Sequence, residues 1–369
     1  MNVGIFLFAA AASFLPVFAC QLSPSDAAAY RTAVSSAAPL AQRRGAYEQA
    51  IRACPGEARL YAGLASLLVA NHDFNTALPW IDKGLALTPD DAILNLRKGE
   101  ALVALSRPKD ALAALSKTPV TGESQFFRGL AHQILESHGE ARRCFLDAWN
   151  HGNQDPYVLY SLMVEDKALG DRASGVEHFQ WMSSRFPDSV WLHVLLGDAH
   201  FQQHQDAEAR QEYLAAVKLA PDLFEPNFRL AYMTFQAGEY NEAIPYYRRA
   251  LAAKPHHTEA NVYLGEALRR AKHTPEAIDQ LRRAIEIDPK APLAYDSLSK
   301  ALTDTGRLSE AVDVLLAGEK EFPAESSFPA MRARLLMRLG RNQEAAHAAR
   351  RATELMDERS RKQAILAPK

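Results

Sequence analysis

The chain has 369 residues, 48% of them hydrophobic and 23% charged, a composition that belongs to ordered proteins able to bury a sizeable core. The 42 Lys and Arg against 44 Asp and Glu leave no basic excess, which argues against DNA or RNA as a partner. Three cysteines are too few for a disulfide framework, and none stands at zinc-ligand spacing, so the sequence predicts a fold held by packing.

Residues 1–19, MNVGIFLFAAAASFLPVFA, carry no side-chain charge and hold an apolar run from Ile5 to Ala19. That run is short for a bilayer span and reads as a cleaved export signal. Residues 17–20, VFAC, resemble a bacterial lipoprotein box in which Cys20 would become the acylated N-terminus, although Phe18 is bulkier than that pattern prefers. An uncleaved N-terminal anchor would also place the rest of the chain outside the cytoplasm.

Beyond the leader, a segment over 20–57 precedes a regular pattern. Pro187, Pro221, Pro255, Pro289 and Pro323 recur every 34 residues, and Pro55 and Pro89 share the interval. With these prolines at position 32 of a repeat, position 20 reads Ala77, Ala111, Ala141, Gly175, Ala209, Ala243, Ala277, Ala311 and Ala345. Position 8 is small in eight units of nine, among them Gly99, Gly129, Gly197 and Gly265, with Met163 the departure. Two antiparallel helices approach closely only where a small side chain sits at their crossing. Large residues at position 24, such as Phe145, Tyr213, Tyr247 and Leu281, are expected to fill the space between helix pairs. Gly170, Gly238, Gly306 and Gly340 at position 15 mark the turn inside each pair. One unit, 92–121, is four residues short because Pro119 arrives early, which predicts a local change in curvature between Ala111 and Glu123. On this phase Cys54 and Cys144 lie almost three units apart, beyond disulfide reach, and both are expected as free thiols.

This pattern resembles the tetratricopeptide-repeat family over residues 24–359, as nine to ten helix-turn-helix units of which the first is degenerate. The unit Thr258 to Ala291 carries the match best, through Leu264-Gly265, Ala277, Leu281, Ala284 and Pro289. The resemblance implies an all-α, right-handed superhelix with a concave groove. It divides the chain into a signal peptide (1–19), a segment with the degenerate repeat (20–57), the repeats (58–325), and a last repeat with a basic cap (326–369).

In this family the groove is lined by the first helix of each unit, at positions 2, 5, 9, 12 and 13. Those offsets select Phe126, Tyr157, Tyr160, Trp191, Phe201, Phe228, Tyr232 and Phe235 in the middle of the chain. Farther on they select Glu266, Arg269, Arg270, Lys300, Arg334 and Arg338. Aromatic rings on a surface cost solvation free energy unless a partner covers them, so the expected role is capture of proteins or peptides in an aromatic channel beside a charged surface. The family's Lys and Asn clamp for a terminal carboxylate is not reproduced.

No GxGxxG, P-loop, GxSxG or HExxH motif is present, and no cofactor or enzymatic activity is expected. His193, His200 and His204, with His178 before them, form the nearest approach to a metal set, but no carboxylate stands where it would orient them, so no metal is expected. Arg332, Arg334, Arg338, Arg341, Arg350, Arg351, Arg359, Arg361 and Lys362 make the end of the chain basic, as a solvated cap or a handle for an anionic partner. A scaffold of the envelope or secreted space is the leading reading. An envelope-anchored regulatory or assembly factor is the alternative, with membrane contact only through lipidation at Cys20.

Overall fold

The structure is a computed structural model that describes Tyr30 and residues 38–366. The leader and Cys20 lie outside the described residues. The chain divides into two compact units that meet in sequence at residues 187 and 188.

In the first unit, nine helices follow from residue 38 onward: α1 (Leu40–Ala53), α2 (Ala58–Ala70), α3 (Phe74–Leu87), α4 (Ala92–Ala104), α5 (Pro108–Leu115), α6 (Gly122–Ile134), α7 (His138–Asn150), α8 (Pro156–Leu169) and α9 (Arg172–Arg185). The second holds α10 (Val190–Gln202), α11 (Asp206–Leu219), α12 (Phe224–Gln236), α13 (Tyr240–Ala253), α14 (Thr258–Arg270), α15 (Thr274–Ile287), α16 (Pro292–Asp304), α17 (Leu308–Glu321), α18 (Ser327–Arg338) and α19 (Asn342–Leu366). No strand occurs among the described residues, and none of their helices is long and apolar enough to cross a membrane. Within each unit successive helices pack as the antiparallel pairs of an α-solenoid.

The column of small residues does its work inside the repeat. A Cβ added at Gly129 would lie 2.5 Å from Phe145, at Gly197 2.6 Å from Tyr213, and at Gly265 2.5 Å from Leu281. Position 8 is thus the notch that receives the large side chain of position 24 from the same pair. This corrects the sequence expectation that position 24 fills the gap between pairs. Phe145 and Leu281 are fully buried and Tyr213 is 2% exposed, so the notch cannot fill without displacing a core side chain.

A second device recurs at position 4. The Nδ2 groups of Asn95, Asn227 and Asn261 donate to the carbonyls of Pro89, Pro221 and Pro255 at 3.0, 2.8 and 3.0 Å, and the Tyr61 hydroxyl donates to the Pro55 carbonyl at 2.9 Å. Each side chain anchors the proline junction just before its own helix. At position 15 the backbone is left-handed in every repeat from 58 onward. Gly170, Gly238, Gly306 and Gly340 supply it, but so do His72, Ser106, Glu136, His204 and Lys272, with φ between 54° and 69°. The short unit keeps its packing although α5 has 8 residues where α3 has 14. The Arg128 guanidinium donates to the Leu115 carbonyl at 2.6 Å and the Thr118 carbonyl at 3.3 Å, so a cation covers the early helix end.

Cys144 is a free thiol, buried between helices, and that burial pushes its pKa up. Cys54 is not free as expected: it is disulfide-bonded, and its partner lies outside the described residues. Repeat spacing could exclude a bridge between Cys54 and Cys144 but carried no information about the segment before the repeats.

Candidate functional site

The first helix of each pair supplies the candidate surface. In the first unit, Phe126 on α6 meets Tyr157 on α8 edge-on, with ring centroids 5.7 Å apart, and Tyr157 stacks on Tyr160 at 5.8 Å. Phe126 and Tyr157 are half-buried, whereas Tyr160 is 8% exposed. Leu130 and Val164 continue the same face, and Val164 is exposed.

In the second unit, Phe201 on α10 meets Tyr232 on α12 at 6.2 Å, and Tyr232 meets Tyr263 on α14 at 5.2 Å. Phe235 lies 5.4 Å from Tyr263. These four rings are half-buried. Trp191 and Phe228 are core residues, at 6% and 8% exposure. The reason is local for Phe228, whose ring packs on Phe224 at 5.3 Å and on Tyr247 at 6.1 Å, the large side chain of position 24. Of the eight rings selected by position, Phe126, Tyr157, Phe201, Tyr232 and Phe235 are half-buried, and Tyr160, Trp191 and Phe228 serve the core. Tyr263 joins the surface from position 6, where the family pattern gave no reason to look.

The charged stretch is largely self-neutralised. Glu266 is 8% exposed and accepts from Arg269 at 2.7 Å and Arg270 at 2.8 Å, and Arg269 also reaches Asp304 at 2.9 Å. Burial pushes the Glu266 carboxyl up, but the two guanidiniums outweigh it and hold the group below its ordinary value. Lys300 pairs with Asp296 at 2.6 Å. Arg334 and Arg338 are exposed and make no ion pair among the described residues. The freely offered charge is therefore a smaller set than the sequence positions suggest.

His193 and His200 each have a partner of their own. His193 Nδ1 lies 2.6 Å from Glu212 and His200 Nδ1 2.7 Å from Gln205, while His204 stands in the turn beyond α10. The Glu212 carboxylate is a partner that sequence spacing did not reveal, although it serves one histidine only. Among the described residues no group of three His, Cys, Asp or Glu side chains is placed to hold a metal.

A polar cluster absent from the sequence reading lies in the first unit. Glu165 and Asp166 on α8 are 0% and 1% exposed. Glu165 is held by Gln133 at 2.7 Å and His138 at 2.8 Å, and Asp166 by Arg142 at 2.6 Å and His178 at 2.6 Å. All four carboxylate oxygens are satisfied, which reads as a packing device and not as a reactive centre.

The profile of the tetratricopeptide repeat family matches residues 62–123, 166–223 and 228–292, together about half of the chain. No protein of curated function matches it. Among solved structures, that titled "Crystal structure of APC/C hetero-tetramer Cut9-Hcn1" is 17% identical with a TM-score of 0.53, over 86% of this chain and 63% of that one. That titled "Crystal structure of MamA" is 21% identical with a TM-score of 0.44, over 45% of this chain and 97% of that one. At 17% identity the first of these likenesses speaks for the fold alone, and the repeat matches carry the family. With helix pairs, position-8 notches and the 34-residue period all in place, the chain belongs to the tetratricopeptide-repeat family, whose members generally act as scaffolds for protein–protein interaction.

Proposed function

We propose that this protein is a non-enzymatic scaffold of the cell envelope or secreted space, which holds peptide segments of partner proteins against the first-helix face of its repeats. The observation that carries the reading is the half-buried run Phe201, Tyr232, Phe235 and Tyr263, rings in mutual contact that the fold leaves partly open. Such rings are the side chains that dominate binding hot spots, and a partner that covers them recovers their solvation cost. The absence of any catalytic motif in the sequence agrees with a binding role.

Two observations support a place outside the cytoplasm. One is the uncharged apolar leader, and the other is the disulfide at Cys54, a bond that persists in oxidising compartments and is rare in reducing ones. Lipidation at Cys20 rests on the VFAC box alone, and an acylated sulfur there could not also bridge Cys54, so the lipoprotein form and a Cys20–Cys54 disulfide exclude each other. Intact mass of the native protein separates these forms, since cleavage before Cys20 removes a defined segment and acylation adds a defined mass.

The test of the groove is the double substitution Tyr232→Ala with Phe235→Ala. Proteins captured from envelope extract by the wild-type chain should bind the variant at least about thirtyfold more weakly, the equivalent of a lost hot-spot ring. Its helical circular dichroism should be unchanged. A folded variant that captures every partner as before would place the site elsewhere.

A further inference from the structure

Three tyrosines of the second unit come together on the groove side. Tyr232 and Tyr263 meet edge-on at 5.2 Å, and Tyr263 lies nearly parallel to Tyr247 at 6.3 Å, with an interplanar angle of 11°. Tyr247 is 0% exposed, and its hydroxyl is a buried polar atom with no hydrogen-bond partner within the protein. An orphan hydroxyl below two half-open rings costs stability unless something polar reaches it. The Glu259 carboxylate is felt by the hydroxyls of both Tyr247 and Tyr263; burial, the other tyrosines and Glu259 all disfavour their ionisation, and Tyr263 is pushed up to about 12.

Glu259 is exposed and has no ion pair among the described residues, and comparison with the preceding repeat shows what is missing. There the same position 2 carries Glu225, which holds the Lys254 ammonium at 2.6 Å, and that ammonium sits 4.6 Å above the Phe224 ring. In the repeat that contains Glu259, the position equivalent to Lys254 is Asp288, so that position supplies no cation. The guanidiniums farther along α14 are engaged already, Arg269 and Arg270 with Glu266.

We infer that Tyr232, Tyr263 and Glu259, backed by the buried Tyr247, form a subsite for a lysine or arginine side chain of the bound peptide. The subsite rests on the groove reading above and gives the partner a chemistry: a cationic side chain beside apolar residues that cover Phe201 and Phe235. Ring faces attract a cation through their quadrupole, the carboxylate neutralises it, and the hydroxyl of half-buried Tyr263 offers an acceptor to its N–H groups.

The probe is a phage-displayed library of random 12-residue peptides, selected on the full wild-type chain. Enriched peptides should carry Lys or Arg next to aromatic or aliphatic residues. Their affinity should fall about tenfold with Glu259→Gln, and Glu259→Lys should abolish the preference for basic residues. Glu259 is exposed, so both variants should keep the wild-type melting curve; if either does not, Tyr263→Phe, which removes the hydroxyl and keeps the ring, is measured in its place and should weaken the same peptides severalfold. Enriched peptides that lose binding with Tyr232→Ala and Phe235→Ala, yet lack basic residues and bind Glu259→Gln as well as wild type, would overturn the subsite and leave the groove standing. A library from which nothing is enriched would overturn both.

Discussion

The two units build the same repeat on different interiors. Around α8 the first unit buries two adjacent carboxylates, each held by two side chains from neighbouring helices. Around α12 and α14 the second unit buries rings, with Phe228, Tyr247 and Phe224 in contact and the small Ala231 and Ala243 in the same core cluster. Both solutions keep the 34-residue spacing, but the repeat of α8 carries Met163 at position 8 where the second unit has the Gly197 and Gly265 notches. They differ in how they fail. Ring packing loses stability in proportion to the atoms removed, whereas a buried ion pair that loses one partner leaves the other charge stranded.

The sharpest test of that contrast is Asp166→Ala, which strands the buried His178 and leaves Arg142 only Asp171 at 3.4 Å and Ser174 at 2.8 Å. It should cost about 3–5 kcal/mol, and hydrogen exchange should rise across α7, α8 and α9 while α12 to α15 keep their protection. Unchanged protection in α8 would mean the carboxylate contributes nothing that water does not replace. Next in size is Gly265→Ala in the second unit, where the new Cβ meets Leu281; about 1–3 kcal/mol should be lost, with exchange rising in α14 and α15 only. An unaltered denaturation midpoint would show that Leu281 has somewhere to go.

The smallest effect is a pH dependence confined to the second unit. His257 accepts the Ala260 N–H at 3.2 Å at the start of α14, which requires the neutral ring, and burial followed by the nearby Lys254 lowers its pKa. A histidine whose folded pKa lies below its unfolded value contributes stability that is present in full above about pH 6.5 and is lost as pH falls through the folded value. Stability of the second unit should decline on that acid side by at most about 1 kcal/mol, the scale of an N-cap, and His257→Gln should flatten the decline. A decline of equal size in the variant would assign it to other groups.

Much of this was legible in the sequence, because solenoid packing repeats its demands. Proline at position 32 and alanine at position 20 recur often enough to set the phase, and the phase then places every helix. Sites were less legible, since position decides which face a side chain occupies but not whether a neighbour covers it. Phe228 and Phe126 share position 5, yet one is core and the other half-open. Tyr263 escaped notice because it sits one residue beyond the expected stripe. The Glu165 and Asp166 cluster did leave a trace: Asp166 occupies position 11, which normally packs between helices, and a carboxylate there demands a buried partner. The Cys54 disulfide left none, for its partner precedes the periodic region.

The left-handed turn at position 15 has a consequence for how far this sequence can change. Five of its nine occurrences are filled by residues with a Cβ, each held in a conformation that costs roughly 1 kcal/mol against glycine. His72, Ser106, Glu136, His204 and Lys272 stand in separate repeats, outside the first-helix stripe, so glycine at each should act nearly independently of the others. The molecule therefore carries, spread along its length, a reserve of stability that mutation can draw out one repeat at a time, leaving the aromatic surface free to vary with its partner.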